Sequence, residues 1–275
     1  MPLKENGQGR RQNMMSSTKQ IKPAIDMSAA LPVRNSSVVI MPSMIEFAEG
    51  LAGVMREGYG YTIEEEAIFA DSIPADKFRS HLQVFPEGQW MALETADNNR
   101  PVGITASMRI DFDPTHPFLE PWEKATNFGS ITTHNPNSEW LYGVESCVVP
   151  EYRSLGIGGK FIGLRFDLAR RLNLRGMVAG SAIIDYHKVA DTMPVDEYVQ
   201  NIIDGKLWDT NLSKQLKKGF RAVALNENYV TDPTTRGWGV TILWDNPDYR
   251  PMNSIFVPKR MPSLTRDIKP VRISA

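Results

Sequence analysis

Four groups of side chains in this sequence are of types that do chemistry. Tyr186 and His187 stand together in the run Asp185-Tyr186-His187-Lys188. An imidazole titrating near neutrality can take a proton from an ammonium or hydroxyl and give one back, and the phenol beside it can supply another. Glu145 lies in the apolar, β-prone run Leu141-Tyr142-Gly143-Val144-Glu145-Ser146-Cys147-Val148-Val149. A carboxylate there is costly to bury unless it is paired or faces a pocket, and desolvation moves it toward use as a base. A structural ion pair or hydrogen bond is the plain alternative. Cys147 shares the strand face of Glu145 and reads as a packed thiol rather than a nucleophile. The fourth group is Arg153-Ser154-Leu155-Gly156-Ile157-Gly158-Gly159-Lys160, rich in glycine with a cation at each end.

The elements around that last group give it a use. Residues 141–149 form a strand that Pro150 closes, because proline cannot donate to a ladder. After the glycines, Phe161, Leu164, Leu168 and Leu172 recur at steps of three and four, the buried face of a helix, with Arg165, Arg170 and Arg171 on its other faces. A helix start presents unpaired N–H groups at the positive end of its dipole, and glycines admit a bulky anion. Strand, glycine loop and helix in that order make a diphosphate cradle, to which Arg153 or Lys160 can add charge. The spacing fits neither a Walker A loop, GxxxxGK[ST], nor the GxGxxG of a dinucleotide fold.

The run Val148-Val149-Pro150-Glu151-Tyr152-Arg153-Ser154-Leu155-Gly156-Ile157-Gly158 closely resembles the loop motif of the GNAT N-acetyltransferases. The resemblance implies an α/β (α+β) fold, a mixed, mostly antiparallel sheet flanked by helices. It implies that the amides of the 153–160 loop hold the pyrophosphate of acetyl-CoA or another acyl-CoA, with no metal. It also implies that the strand edge at Cys147, Val148 and Val149 pairs with pantetheine. The expected reaction is acetyl transfer to a small-molecule or peptide amine by direct attack in a ternary complex. The family's helix N-x-x-A-x-x-x-Y-x-x-x-G-F comes late, as Asn211-Leu212-Ser213-Lys214-Gln215-Leu216-Lys217-Lys218-Gly219-Phe220, after an insertion at 182–208. Gln215 stands where the family often has a tyrosine that protonates the leaving thiolate, so Tyr186 and His187 become the candidates for that proton.

Further segments narrow the likeness: Phe85-Pro86-Glu87-Gly88-Gln89, Thr133-His134-Asn135-Pro136-Asn137, and the run from Gly176 to Lys188. Over residues 38–249 the chain is similar to GNAT domains joined to carbon–nitrogen hydrolases and, more distantly, to those of polyketide synthase loading modules. The latter imply an alternative, malonyl-CoA decarboxylation with transfer to a carrier-protein thiol. A CoA-binding module without catalysis is the third reading.

The rest of the chain sets bounds. It has 275 residues, with 31 basic against 32 acidic side chains, a balance that makes no electrostatic case for nucleic acid or a membrane surface. One cysteine excludes an internal disulfide framework and suits a reducing compartment. No apolar run matches a membrane span or a signal peptide, so a cytoplasmic protein is expected. Residues 1–37 read as a disordered tail, 38–249 as the acyltransferase domain and 250–275 as a basic tail. Residues 111–139 read as a loop walling the acceptor pocket, and Asp111, Asp113, His116 and His134 within it lack metal-ligand spacing.

Overall fold

The computed structural model describes residues 25–66 and 72–251. Strands β1 (Leu31–Pro32) and β2 (Val38–Pro42) lead into helices α1 (Ala48–Tyr59), α2 (Ile63–Glu66) and α3 (Ala75–Val84). Strands β3 (Gln89–Glu94) and β4 (Arg100–Ile110), helix α4 (Trp122–Thr126) and strand β5 (Trp140–Val148) follow. Helix α5 (Ile157–Arg171) and strand β6 (Gly176–Ala182) come next, then α6 (Val195–Ile203), α7 (Leu212–Lys217), β7 (Arg221–Asn226) and β8 (Gly239–Asp245).

The strands make one sheet in the order β1-β2-β3-β4-β5-β6-β8-β7. Every pairing is antiparallel except β5 with β6. That parallel pair is joined by α5 in a βαβ unit, for which a right-handed crossover is the rule. The sheet carries helices on both faces. Ile104 of β4 shares a small cavity with Leu51 of α1 and Phe78 of α3, while the adjacent Gly103 faces Phe161 of α5. Period-two alternation sends neighbouring residues to opposite faces, so α1 and α3 cover one side and α5 the other.

Some expectations are corrected. The fold begins before Val38: β1 pairs with β2, and Val33 is buried. Ser43, with Glu46 three residues on, reads as a helix cap, but its amide donates to Gln89 O at 3.0 Å and a short 3₁₀ turn precedes α1. Residues 63–69 also read as a helix from sequence; it is seen over Ile63–Glu66, and the remainder lies outside the described residues. The 111–139 segment is largely irregular, as expected, but contains α4. Its polar groups serve each other: Asp111 accepts from Asn135 and Ser138, and Asp113 accepts from Thr115. His134 Nδ1 accepts from the Arg109 amide at 3.0 Å. Beyond β8 the chain folds back, with Tyr249 donating to Glu139 Oε1 at 2.6 Å. The rest of the basic tail, like residues 1–24, lies outside the described residues. Among those described, no helix is long and apolar enough to cross a membrane.

His81 is 1% exposed, and its Nε2–H donates to Gly129 O at 2.6 Å while Nδ1 has no partner. Burial pushes the imidazole down to about 4 from 6.5. The folded pKa lies below the unfolded one, so this contribution is complete above pH 6.5 and is lost as pH falls toward 4. The loss amounts to about 3 kcal/mol at the acid end. Urea unfolding of wild type and His81→Gln across this range should show a shallower acid loss in the variant. Equal slopes would contradict the assignment.

Candidate functional site

The parallel pair at the centre of the sheet is incomplete. Trp140, Leu141, Tyr142 and Gly143 pair with Gly176, Met177, Val178 and Ala179, and there the pairing stops. Yet β5 continues to Val148 and β6 to Ala182, so beyond Gly143 the strands part and their facing edges are released from each other. At the same level the β4–β5 register slips: Ala106 faces Glu145 and Ser107 faces Gly143, leaving Val144 as the extra residue of a bulge. Side chains take the bulge carbonyls. The Trp122 indole N–H donates to Val144 O at 2.9 Å. Glu145 O accepts from Thr105 Oγ1 at 3.2 Å and from Arg165 Nη2.

A tyrosine from the β7–β8 connection is wedged at the divergence. Tyr229 is 2% exposed, and its hydroxyl meets that of Tyr142 at 2.6 Å and the Gly180 backbone. Gly180 is required there, since a Cβ would lie 1.9 Å from the Tyr229 ring. Burial raises both phenols, so they remain neutral hydrogen-bonding groups.

The glycine loop stands at the open end of this cleft. After a 3₁₀ turn over Pro150–Tyr152, Ser154 takes a φ of 68° and Gly156 a φ of 84°, which reverses the chain into α5. Among the described residues, the amides of 154–159 donate to no protein acceptor, and the first turn of α5 carries no acidic side chain. A Cβ on Gly156 or Gly158 would meet nothing within 4 Å, so protein packing does not explain the glycine at 158. Space, unpaired amides and missing acids fit a bulky anion. Lys160 is exposed beside the loop. Arg153 does not reach outward as expected: it donates to Val148 O at 3.0 Å and Gly58 O at 2.7 Å, tying the loop to β5 and α1. The cation over the helix start is Lys218, whose Nζ is 3.1 Å from the position of a Gly159 Cβ. Leu155 is exposed and Ile157 is buried beneath the loop.

Glu145 is half-buried on the α1 side. Its Oε1 accepts from Tyr59 OH at 3.0 Å and from the Ser146 amide at 2.8 Å, and the Tyr59 and Tyr61 rings stack at 6.4 Å. Cys147 also points to α1, its thiol donating to Val54 O at 3.7 Å; burial pushes it up to about 12, as suits a packed thiol. On the β4 side, Cys147 and Val148 are paired and the Val149 amide donates to Val102 O, so the edge left for a ligand faces β6.

Tyr186 and His187 lie in the insertion, and their bonds stay inside it. Tyr186 is buried, packs on Tyr198, and donates to Met193 O at 3.1 Å, which corrects the expectation of a free phenolic acid. His187 is exposed, and its Nδ1–H donates to Ile184 O at 2.9 Å, leaving Nε2 bare. The insertion is anchored by Asp209, which is 0% exposed and accepts from Asp185 N, Tyr198 OH, Asn211 N and Leu212 N. Gln215 in α7 is half-buried, and its Oε1 has no partner.

Sequence reasoning misses Tyr229, Lys218 and Tyr59, reads Trp122 only as core or pocket wall, and sets Arg165 on an outer face of its helix. Local signals exist for Lys218, in the quoted Lys217-Lys218-Gly219-Phe220 run, and for Arg165, four residues after Phe161 and three before Leu168.

Comparisons with known proteins agree with this architecture. No protein-family profile matches the sequence. The chain is 39% identical over 176 residues to the probable hydrolase YhcX of Bacillus subtilis (strain 168), covering 64% of this chain and 34% of YhcX. It therefore spans about a third of that relative. It is 30% identical over 202 residues to the uncharacterized N-acetyltransferase YkwB of the same organism, covering 74% of this chain and 86% of YkwB. Among solved structures, the GphF GNAT-like decarboxylase in complex with isobutyryl-CoA matches with a TM-score of 0.60 at 18% identity, over 75% of this chain and 98% of that one. The loading GNATL domain of CurA from Lyngbya majuscula gives 0.61 at 16% identity, over 76% and 97%. These two likenesses concern the fold, and the kinship with YkwB runs through sequence over most of both chains. The chain belongs to the GNAT acyltransferase family.

Proposed function

We propose that the chain transfers an acetyl group from acetyl-CoA to an amine by direct attack in a ternary complex. The observation that carries this reading is one cleft with unpaired amides at its mouth and a carboxylate at its bulge. The amides of Leu155, Gly156, Ile157, Gly158 and Gly159 hold the diphosphate, assisted by Lys218 and Lys160. The released edge of Cys147, Val148 and Val149 pairs with the pantetheine arm. That lays the thioester at the bulge of β5.

Glu145 then faces the acceptor from the α1 side. A carboxylate beside the stacked rings of Tyr59 and Tyr61 suits an ammonium, which interacts favourably with both charge and ring face. Glu145 takes the proton, and the amine nitrogen bonds to the thioester carbonyl carbon. The carbonyl electron pair moves to oxygen, where backbone N–H groups of β5 stabilise it. The pair returns as the carbon–sulfur bond breaks; the nitrogen releases its second proton to water to become the amide, and sulfur takes the proton held by Glu145. Ser146 N–H, bonded to Glu145 Oε1, becomes available once the carboxylate turns to the ammonium. His187 is the second candidate for the base. We place the catalytic unit at 38–249, stitched at its start by β1, and the reaction in the cytoplasm.

Gly158→Val tests the cradle. The variant should melt close to wild type, since nothing is near that Cβ, while CoA affinity measured by calorimetry falls at least about tenfold. Unchanged affinity would remove the cradle from the account.

CoA release against a panel of amines tests the chemistry. Glu145→Gln should lower kcat by about 10² to 10³, and His187→Ala should change it by less than about threefold. The reverse ranking would make His187 the base. Carbon dioxide release from malonyl-CoA, with transfer to a carrier-protein thiol, would favour the loading-module chemistry instead.

A further inference from the structure

Arg165 has no part in the scheme above, yet it is the most confined cation described. Its side chain rises from the third turn of α5 and is 5% exposed. Nη2 donates to Ala106 O at 2.7 Å and to Glu145 O, the two residues that face each other across β4 and β5 where the register slips. Nη1 lies 3.4 Å from where a Cβ on Gly143 would sit, beside the last paired rung of β5 and β6, and Nε has no partner. A guanidinium satisfied only by neutral carbonyls is expensive to bury, so a packing role alone explains it poorly.

We infer that Arg165 is a positioning residue for the bulge. It draws the Ala106 and Glu145 carbonyls toward α5, fixing which edges of β5 face the cleft, and sets positive charge behind the Glu145 carboxylate. The helix whose first turn holds the diphosphate thereby also sets the strand that holds the thioester and the base. This rests on the acyl-CoA reading of the cleft. Among the described residues, the groups close to Glu145 include Tyr59, Tyr61, Tyr142, Cys147 and Tyr229, which are phenols or a thiol, and the charged Arg165.

Two readouts test it. The first is the side-chain carboxyl titration of Glu145 by carbon NMR, which needs neither CoA nor an acceptor. Removing the charge in Arg165→Met should raise the Glu145 midpoint, while Arg165→Lys should leave it near wild type. The second is turnover with a responsive amine: Arg165→Met should lower kcat at least about tenfold, with KM for acetyl-CoA changed less than about threefold and the acid limb of the pH profile moved up. Arg165→Lys should recover part of kcat. If Arg165→Met does not fold, Arg165→Gln serves in its place, and Thr105→Val, which removes an uncharged donor to the same carbonyl, should lower kcat without moving the midpoint. An unmoved Glu145 midpoint in the folded Met or Gln variant overturns the proposal even if CoA binds. A moved midpoint without CoA binding leaves the inference about Arg165 standing and sinks the acyl-CoA reading.

Discussion

The separation of β5 from β6 beyond Gly143 is the constraint on which the rest of the site depends. A parallel pair in mid-sheet would ordinarily bond along its whole length, because buried backbone groups left unpaired are costly. Here the ladder ends after Ala179 while both strands run on. Several features sustain the break. The bulge at Val144 turns the edge of β5, Trp122 and Arg165 take carbonyls that the slip leaves over, and Tyr229 closes the base of the opening against Gly180. What remains is a slot with backbone donors and acceptors along its edges, suited to an extended, amide-bearing ligand.

The loop and helix answer that slot at its open end. Arg153, bonded to carbonyls of β5 and α1, fixes the loop rather than the ligand. The amides behind it are thus oriented before any ligand arrives, and preorganisation of this kind lowers the entropy cost of binding. Lys218 places a charge over the same turn from α7, so the late helix after the insertion still borders the cradle. The insertion is held by Asp209, whose side chain caps α7 and receives Tyr198 OH from α6. Tyr186 belongs to that scaffold.

Much of this was legible in the sequence because it is local. Glycines at 156, 158 and 159 between a β-prone run and an amphipathic helix specify strand, turn and helix without tertiary information. Residues 176–181 likewise read as a buried strand, and the crossover rule makes it parallel to β5. The unread parts come from contacts distant in the chain. Tyr229 is buried because the β7–β8 connection returns across β6, which no periodicity encodes. Helix α4 is too short to show a repeat, so Trp122 looked like part of a loop. Arg165 stands four residues after Phe161 and three before Leu168, within the buried stripe of its helix; only its charge, which normally means solvent, argues for another face. Tyr186 follows β6 after a short turn, and only its surroundings reveal that its hydroxyl is engaged.

The central claim is that one continuous cleft, from the amides of 154–159 to the bulge at Val144, receives an acyl-CoA. Backbone amide NMR during titration with CoA tests this most directly. The account predicts saturable shifts concentrated at Leu155–Gly159 and along Val144–Val148, with those at 155–159 lost when pantetheine replaces CoA. Addition of millimolar CoA that leaves both segments unmoved would contradict it.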